Sequence, residues 1–373
     1  MMSMAQADNL YCVILAGGVG RRFWPYSRKS YPKQFLDFFN SGRSLLQTTA
    51  RRFEKLLPVE RIMVSTNESY RDIVREQLPY LPEENILCEP NPRNTACAIA
   101  SVVRHIHALN PDAVVAITPS DHLVTDEMVF CERVQQAWGD ALQHDMIVTI
   151  GIKPTYPEVG YGYIQAETEE TTERGLQEGC CQPVKTFIEK PNAEMARVLV
   201  ESGEFYWNAG IFVAKTRVII EEVKAHAKEI AERLYAKPEV WGTPEEYHFV
   251  QETFPYCPNI SFDYAVMEKS QRVMMITADM GWTDVGTWSS TYRLTEKDAN
   301  ANASVGEHKH IYNDSQGNLV VTDTPDKLVV LQGIRDLLVI EKGDVLLVCR
   351  RGEESKLRQV IPEIRGLGDH YID

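Results

Sequence analysis

The sequence predicts an α/β fold: a mostly parallel, Rossmann-like sheet with helices on both faces, followed by a small β-rich domain. Two observations predict the sheet. Short apolar runs alternate with amphipathic segments over residues 11–150, and the first run leads into a glycine-rich turn. A third observation predicts the small domain, because helical periodicity stops near Thr295 and short β-rich runs follow. We therefore expect a disordered N-terminus over 1–9, a large domain over 10–295 and a small domain over 296–373.

The first apolar run, Tyr11 to Leu15, has the length of a buried parallel strand. It leads into a turn that contains Gly17, Gly18 and Gly20. Glycine allows unusual dihedrals and lets backbone N–H groups approach an anion closely. Basic residues follow within a short stretch: Arg21, Arg22, Arg28, Lys29 and Lys33. The combination predicts a phosphate-binding loop, although an ordinary strand-to-helix turn with a solvated basic face fits the same residues.

This loop departs from both familiar phosphate motifs. Phe23 stands where a dinucleotide-binding fingerprint that starts at Gly18 requires a third glycine. A P-loop requires Gly-Lys-Ser/Thr after its spacer, and these residues are absent from the loop. The sequence therefore excludes a Rossmann cofactor loop and a Walker motif.

The other elements of the large domain follow in order. Strands are predicted at Ile62–Thr66, Asn85–Cys88, Ala113–Thr118, Met146–Ile150, Val184–Glu189, 207–212 and Val273–Ala278. Helices are predicted at Glu68–Leu78, Asn94–Asn110, Asp126–Gln143 and Thr216–Trp241, and from near Asp263 to Lys269. Residues 151–165 are predicted to form a hairpin, and the acidic, Thr-rich residues 167–178 an exposed loop without chemistry. Ligands of such a sheet bind beyond the carboxyl ends of its strands.

Two segments follow predicted strand ends. The prolines of Glu89–Ala96 hold the chain extended, so that Asn94 or Thr95 can cap the next helix. Asp121 follows the run Ala113–Thr118, where a carboxylate can face a ligand and bind Mg²⁺ through hard oxygen atoms. From these residues alone, a plain helix cap and a turn aspartate remain alternatives.

Composition limits the function classes. The 373 residues carry a formal charge of −14, which argues against a general nucleic-acid binder. No apolar stretch is long enough to span a membrane, and the first nine residues do not form a signal peptide. The eight cysteines are scattered without a zinc-type spacing and are predicted to be reduced thiols. We expect a cytoplasmic protein.

Several motifs carry a family resemblance. Residues 17–28 and 32–35 resemble the signature of the sugar-1-phosphate nucleotidylyltransferases, and within them most closely that of the mannose-1-phosphate guanylyltransferases, or GDP-mannose pyrophosphorylases. Further matching stretches occur in the family order at 89–96, 119–122, 160–164, 187–191, 207–212, 262–269 and 282–288. Ordered motifs over most of the chain are far more specific than any one of them.

The resemblance implies roles for individual residues. The nucleotide-binding candidates are Gly17, Gly18, Gly20, Arg21, Arg93, Asn94 and Thr95, and the catalytic candidates are Arg21 for the triphosphate and Lys33 for the reacting phosphates. The sugar-phosphate candidates are Gly160, Glu189, Lys190 and Asn208, and the Mg²⁺ ligands are Asp121 and Asp284. Without the family, Glu189 and Lys190 are a surface pair, Asn208 is a strand-edge residue and Asp263 caps a helix.

The family implies that GTP and mannose 1-phosphate give GDP-mannose and pyrophosphate, by in-line attack without a covalent intermediate. The alternatives are another hexose 1-phosphate or nucleotide, and a catalytically silent subunit used for regulation or assembly. The family resemblance implies a left-handed β-helix for the β-rich runs at 318–323, 327–331, 337–341 and 344–349. A homodimer is a candidate assembly. Many bacterial relatives continue into an isomerase domain; this chain ends at Asp373, so no isomerase activity is expected.

Overall fold

The computed structural model of the chain describes residues 8–39, 41–167, 179 and 181–373. It divides the chain into two compact units, each discontinuous in sequence. The sheet unit comprises Met1–Gly17 and Gln47–Trp282, and the β-helix unit comprises Gly18–Leu46 and Thr283–Asp373. The domains predicted from sequence were continuous. The predicted acidic loop over 167–178 lies almost entirely outside the described residues, as does most of the N-terminus predicted to be disordered.

The strands that precede the C-terminal stack are Leu10–Leu15 (β1), Ile62–Asn67 (β2), Ile86–Glu89 (β3), Val114–Pro119 (β4), Leu123–Val124 (β5), Ile147–Ile152 (β6), Gly162–Ala166 (β7), Cys181–Glu189 (β8), Phe205–Lys215 (β9), Val273–Ala278 (β10) and Trp282–Thr283 (β11). In the described part of the sheet unit, nine of them form one sheet in the order β3-β2-β1-β4-β9-β6-β10-β8-β7. The predicted α/β class is confirmed.

The two halves of this sheet differ in strand direction. Strands β3, β2, β1 and β4 pair in parallel, and β6 pairs in parallel with β10. Strand β9 lies between β4 and β6 and is antiparallel to both, and β8 is antiparallel to β10 and β7. A strand that is buried on both faces is a plain apolar run in either direction, so its sequence does not reveal its direction.

The helices are Leu45–Glu54 (α1), Arg71–Gln77 (α2), Asn94–Leu109 (α3), Glu127–Gln143 (α4), Ala193–Ser202 (α5), Thr216–His226 (α6), Lys228–Leu234 (α7), Glu246–Thr253 (α8), Trp288–Leu294 (α9) and Leu357–Leu367 (α10). The single helix predicted over 216–241 is broken at Ala227, whose φ and ψ of −123° and 53° are not helical. Alanine has a high helix propensity, so residue 227 itself does not predict the break.

One hydrophobic core joins the sheet to helices. Val13 of β1 and Ile117 of β4 belong to it, together with Ile99 and Val103 of α3 and Val223 of α6. Each of these side chains is almost fully removed from water. Burying one such side chain contributes about 1.5–3 kcal/mol, so this core holds the strand ends in fixed positions.

The C-terminal strands are Ala303–Val305 (β12), Lys309–Asn313 (β13), Leu319–Thr322 (β14), Leu328–Gln332 (β15), Leu337–Lys342 (β16) and Val345–Arg350 (β17). Strands β12, β14 and β16 stack in parallel, as do β13 and β15, which is the arrangement of a short β-helix. Buried Asn318 donates from Nδ2 to Oδ1 of Asn302 on the previous coil at 2.9 Å. The β-rich prediction is therefore confirmed, whereas the left-handed twist stays a prediction.

The segment Gly18–Leu46 packs within the β-helix unit. Trp24 donates from its indole nitrogen to the carbonyl oxygen of Tyr371 at 2.8 Å, and Trp288 donates to the carbonyl oxygen of Trp24 at 3.1 Å. The ring of Phe23 packs edge-on against Trp288, with centroids 5.0 Å apart. The loop after Gly17 is thus built together with the C-terminal part of the chain, which the sequence pattern did not reveal.

Candidate functional site

Four parallel strands of the sheet unit end at one edge. Gly17 lies just after β1, Asn67 and Glu89 end β2 and β3, and Asp121 follows β4. The ends are tied together, because Asn67 donates from Nδ2 to the carbonyl oxygen of Glu89 at 3.1 Å. Ser120 likewise donates its N–H to the carbonyl oxygen of Leu15 at 3.0 Å. This is the edge at which such sheets bind ligands.

Glu89 is a functional candidate that the sequence analysis did not single out. Its carboxyl group is buried and accepts a hydrogen bond from Oγ of Ser65 at 3.1 Å. Burial raises the pKa of Glu89 to about 8, and the Ser65 hydrogen bond offsets only part of that shift. A buried carboxyl group at a ligand-binding edge is a candidate for reading a ligand that donates hydrogen bonds. The signal in the sequence was its place at the end of an apolar run, directly before a proline.

The segment after Glu89 contains the predicted nucleotide residues. Helix α3 begins at Asn94, as predicted, and Asn94 has a left-handed φ of 64°. Its Oδ1 accepts a hydrogen bond from the N–H of Thr95 at 2.9 Å, and the Thr95 hydroxyl accepts one from the N–H of Phe262 at 2.8 Å. The Arg93 guanidinium donates to the carbonyl oxygen of Pro255. These contacts fix the segment, and its role in nucleotide binding stays a prediction.

Asp121 lies in a well-supported turn after β4 and is half-buried. Buried Arg52 donates to the carbonyl oxygen of the next residue, His122, at 3.0 Å. Nδ1 of His122 accepts a hydrogen bond from the indole nitrogen of Trp282 at 3.2 Å. His122 therefore packs as a structural residue, while Asp121 stays the predicted metal ligand.

A second group of polar residues lies around Gly162 at the start of β7. Gly162 pairs with Glu189 at the end of β8, and Asn208 of β9 pairs with Gly151 of β6. A Cβ at position 162 would lie 2.7 Å from Oε2 of Glu189 and 3.3 Å from Cβ of Asn208. Gly162 is thus a glycine that these side chains require for space, and the predicted role of Gly160 at the sugar phosphate stays a prediction.

The predicted pair Glu189 and Lys190 is a contact pair. Nζ of Lys190 donates to Oε1 of Glu189, whereas Oε2 of Glu189 is buried without a hydrogen-bond partner. Burial, and then the nearby Asp263 carboxylate, raise the pKa of Glu189 to about 7. Burial alone would lower the pKa of Lys190, but the carboxylates of Glu189 and Asp263 raise it, so the ammonium is retained. The group offers a buried acceptor beside a cation, which suits a phosphorylated polyol.

Asn208, the fourth sugar-phosphate candidate, has its amide group held by three hydrogen bonds. Its Oδ1 accepts hydrogen bonds from Oγ1 of Thr149 and the N–H of Gly210, both at 3.0 Å. Its Nδ2 donates to Oδ1 of Asp263 at 3.0 Å. One N–H of the amide remains for a ligand, so Asn208 would act as a donor of fixed direction.

In the β-helix unit, Gly20 and Lys33 pack against each other. Gly20 has a φ of 64°, and a Cβ there would lie 2.6 Å from Cβ of Lys33. Lys33 is buried, and its Nζ donates to the carbonyl oxygen of Asp284 at 2.8 Å. Its own N–H is held by Oγ of Ser27 at 2.9 Å. The glycine is therefore required both for its left-handed backbone and for space.

The Asp284 turn, in the same unit, is strained. Val285 has a φ of 44°, which is unusual for a β-branched residue. Oδ1 of Asp284 accepts a hydrogen bond from the N–H of Gly286 at 2.8 Å. Strain of this kind collects at functional sites. The unit thus places the predicted catalytic lysine against the backbone of one predicted metal ligand.

The roles predicted for Arg21 and for the Mg²⁺ ligands both stay predictions. The side chain of Arg21 lies outside the described residues, and so its role with the triphosphate stays a prediction. Over the part of the chain that the structure describes, no three or more His, Cys, Asp and Glu side chains cluster as a metal site. The predicted Mg²⁺ site relies on only two carboxylates, those of Asp121 and Asp284, and so it is not a cluster of three or more side chains.

Comparisons with known proteins show the family of the chain. Residues 11–301 match the nucleotidyl transferase family, and residues 308–364 match the mannoseP isomerase/GMP-like beta-helix domain. The chain belongs to the nucleotidyl transferase family. It is 36% identical to a mannose-1-phosphate guanylyltransferase of Escherichia coli strain K12, over 98% of this chain and 76% of the relative. A putative mannose-1-phosphate guanylyltransferase of Vibrio cholerae is 35% identical, over 95% of this chain and 74% of the relative.

A solved structure extends the likeness over the whole nucleotidyl transferase fold. The Thermus thermophilus protein described as a mannose-1-phosphate geranyltransferase superposes with a TM-score of 0.82 at 30% identity. The match covers 96% of this chain and 99% of that one. The predicted family, enzyme class and C-terminal β-helix-like domain are thereby confirmed.

The cysteines that the structure describes carry no disulfide. None of the described helices has the length and apolar character of a membrane span. Sequence reasoning missed Glu89 and Gly162, and it left the motif around Asp263 without a function.

Proposed function

We propose that this chain transfers a guanylyl group from GTP to α-D-mannose 1-phosphate and releases GDP-mannose and pyrophosphate. The observation that carries the proposal is the group formed by buried Glu189 and Asn208 with the more exposed Lys190, in the same unit as a sheet edge of nucleotidyl transferase type. It offers acceptors and a donor for sugar hydroxyls and a cation for the sugar phosphate. The curated relatives that carry the mannose-1-phosphate guanylyltransferase name support the choice of substrate.

The chemistry requires no general base. A sugar 1-phosphate is already largely a dianion at neutral pH, since the second pKa of a phosphate monoester is about 6. The obstacle is repulsion between this nucleophile and an anionic triphosphate. Catalysis therefore consists of positioning and of electrostatic stabilisation, as for other phosphoryl transfers.

The cationic residues divide this task. Lys33, held by its contact with the carbonyl oxygen of Asp284, would neutralise the reacting phosphates. Arg21 would neutralise the triphosphate, and Lys190 would orient the attacking phosphate. The oxygen of the sugar phosphate then attacks the α-phosphorus in line, and pyrophosphate leaves from the opposite side. Trapping of a nucleotidyl-enzyme in the absence of sugar phosphate would contradict this mechanism.

The residues present fit Mg²⁺. Asp121 and Asp284 supply hard carboxylate oxygens, and Mg²⁺ at nucleotide sites is commonly held by one or two carboxylates together with substrate phosphates. The N–H of Gly286 orients one carboxylate oxygen of Asp284 at 2.8 Å. When bound, the ion would offset charge on the phosphate oxygens and on the leaving pyrophosphate.

Glu89 is our candidate for base selection. Guanine presents N–H donors at N1 and N2. Hydrogen bonds from these donors would favour the ionised form of Glu89 and lower its raised pKa, and the resulting carboxylate can accept both of them. Adenine, uracil and thymine present no such pair of adjacent donors. We therefore expect Glu89→Gln to lower the preference for GTP over other nucleotides by about tenfold or more, because one acceptor oxygen is replaced by a donor.

The test is Mg²⁺-dependent pyrophosphate release from GTP with mannose 1-phosphate, run beside glucose 1-phosphate and beside ATP, UTP and dTTP. Selective release with GTP and mannose 1-phosphate supports the proposal. Release with another pair keeps the chemistry and changes the product. No release with any pair would favour a catalytically silent subunit.

The reaction consumes a nucleotide of the cytoplasm, which favours a cytoplasmic location. The negative net charge of the chain speaks against nucleic acid as a partner. A homodimer is the assembly that we propose. Light scattering of the purified chain, read at several concentrations, measures its mass in solution.

A further inference from the structure

The motif Ser261–Lys269 has no part in the chemistry above. Sequence reasoning predicted a capped helix there, with Asp263 as the capping residue. The structure instead contains a π-helical turn over Asp263–Met267. Such turns are rare and occur frequently at functional sites.

The turn holds the backbone of Glu189 on two sides. Oε1 of Glu268 accepts a hydrogen bond from the N–H of Glu189 at 2.9 Å. The hydroxyl of Tyr264 donates to the carbonyl oxygen of Glu189 at 3.3 Å. The next residue, Lys190, has a left-handed φ of 47°, so the chain bends sharply where it is held. These contacts set the direction in which the Glu189 and Lys190 side chains leave the strand.

The same turn fixes the amide of Asn208. Oδ1 of Asp263 accepts its Nδ2–H, while Thr149 and Gly210 donate to its Oδ1. Without the Asp263 acceptor, the Nδ2 group would lose the partner that fixes its direction. Asp263 also lies close enough to Glu189 and Lys190 to influence the charge of both.

On its N-terminal side, the motif contacts the predicted nucleotide segment. The N–H of Phe262 donates to the hydroxyl of Thr95 at 2.8 Å, and the N–H of Ala96 donates to the carbonyl oxygen of Ile260 at 3.2 Å. Residues 260–268 thus link the start of helix α3 to Glu189 and Asn208. All of these residues belong to the sheet unit.

A packing role accounts for only part of the motif. Phe262, Ala265, Val266 and Met267 are buried in the core and would hold any turn in place. The polar residues Asp263, Tyr264 and Glu268 lie between them and add little apolar burial. Each instead contacts one of the predicted sugar-phosphate residues.

We infer that Asp263, Tyr264 and Glu268 are positioning residues for the sugar phosphate, acting through Glu189 and Asn208. The inference rests on the proposed function, because it assigns Glu189, Lys190 and Asn208 to the sugar phosphate. It assigns no contact with the ligand to the three positioning residues themselves.

The test measures equilibrium binding of mannose 1-phosphate by calorimetry, together with the KM values for mannose 1-phosphate and GTP. Asp263→Ala should weaken mannose 1-phosphate binding and raise its KM about tenfold, because a charged hydrogen-bond partner is lost. The KM for GTP should change by less than about twofold. Tyr264→Phe and Glu268→Ala should raise the KM for mannose 1-phosphate about threefold each.

Two conservative variants separate positioning from folding. Glu268→Gln keeps an acceptor for the Glu189 N–H and should restore wild-type KM. Asp263→Asn keeps an oxygen that can accept the Asn208 hydrogen bond and should show a smaller defect than Asp263→Ala. A general loss of fold would lower the active fraction, and hence the apparent kcat, while leaving both KM values unchanged.

Matched controls come from the same unit. Asp126 caps helix α4 by accepting the N–H groups of Met128 and Val129, so Asp126→Ala removes a capping carboxylate away from these contacts. Tyr247 is an exposed tyrosine, so Tyr247→Phe controls for loss of a hydroxyl. Both controls should keep the wild-type KM for mannose 1-phosphate, even where Asp126→Ala lowers the melting temperature.

The outcomes separate this inference from the proposed function. If the wild-type chain prefers another hexose 1-phosphate, the substrate is wrong and the same KM comparison is read with that sugar. If wild type binds mannose 1-phosphate and Asp263→Ala binds it equally well, the positioning role is wrong and the function stands. If wild type binds no sugar phosphate, both are wrong.

Discussion

The sheet unit and the β-helix unit place different chemistry at their candidate residues. In the sheet unit, Glu89, Glu189 and Asn208 are buried on strands and held by side-chain networks. In the β-helix unit, Lys33 begins a short 3₁₀ turn and Asp284 lies on a loop, with tight glycines and a strained valine beside them. We propose a division of labour: strand ends of the sheet unit read hydroxyl and base groups, with Lys190 holding the sugar phosphate, and the β-helix unit neutralises the reacting phosphates. Strands fix direction well, whereas loops bring backbone N–H groups and cations to an anion.

The largest effect should come from Lys33. Lys33→Ala removes a buried cation from the phosphate loop, so turnover should fall by about 10²-fold or more while the circular dichroism spectrum is retained. Lys29→Ala is the matched control, since Lys29 is exposed on the same segment and its ammonium lies 3.7 Å from Asp373. If Lys33→Ala turned over at nearly the wild-type rate, Lys33 would not be a catalytic residue. The proposed difference between the two units would then be wrong.

Asp121 tests whether the sheet unit also contributes to phosphate chemistry. Asp121→Asn has nearly the same volume but is a weaker metal ligand, so the Mg²⁺ concentration for half-maximal activity should rise about tenfold. Asp112→Asn changes an exposed aspartate in a turn of the same unit and should leave the Mg²⁺ titration unchanged. An unaltered titration for Asp121→Asn would make Asp121 a turn residue.

Gly162 sharpens the account of the sugar site. In Gly162→Ala, the new Cβ would lie 2.7 Å from Oε2 of Glu189, so the carboxyl group must shift. We expect the KM for mannose 1-phosphate to rise about tenfold with an unchanged KM for GTP. Gly160→Ala, tested beside it, decides which glycine matters: a larger defect at Gly160 would favour the prediction from sequence over the contact seen at Gly162.

The last prediction concerns stability and pH at Glu89 rather than activity. Because its pKa is raised from 4.5 to about 8, the neutral form is favoured in the folded chain. That stabilisation is complete below pH 4.5 and is lost as the pH rises through about 8. The side chain of Glu89→Gln cannot ionise. Between pH 5 and pH 9, the unfolding free energy of wild type should therefore fall by about 4 kcal/mol relative to that of Glu89→Gln.

Urea unfolding at pH 5, 7 and 9 measures this difference. Glu84→Gln, at an exposed carboxylate nearby, is the control and should follow the wild-type profile. Parallel profiles for Glu89→Gln and wild type would mean that the Glu89 carboxyl group is not held neutral by burial.

Local sequence patterns predict many of the strands and helices, but they do not predict contacts between residues that are far apart in the chain. The Tyr11–Leu15 strand and the start of helix α3 at Asn94 follow from apolar runs and proline boundaries. The antiparallel direction of β9 and the break at Ala227 do not, because tertiary packing decides both. The packing of segment 18–46 with the C-terminal part of the chain has no local signal at all.

The candidate site, like the fold, follows only in part from the sequence. Glu189, Lys190 and Asn208 were named from family motifs, and the structure brings them together around Gly162. Their support by Asp263 and Glu268 depends on contacts between residues 55 and 79 positions apart in the chain. No spacing rule reports such pairs, which explains why Asp263 was predicted only to cap a helix.

The division of labour is tested most directly by titrating mannose 1-phosphate into Glu189→Gln and Lys33→Ala and measuring turnover of both. We predict that Lys33→Ala binds the sugar phosphate within about threefold of wild type yet turns over about 10²-fold more slowly, whereas Glu189→Gln loses about tenfold in binding. Equal losses of binding in the two variants would contradict the division between the units.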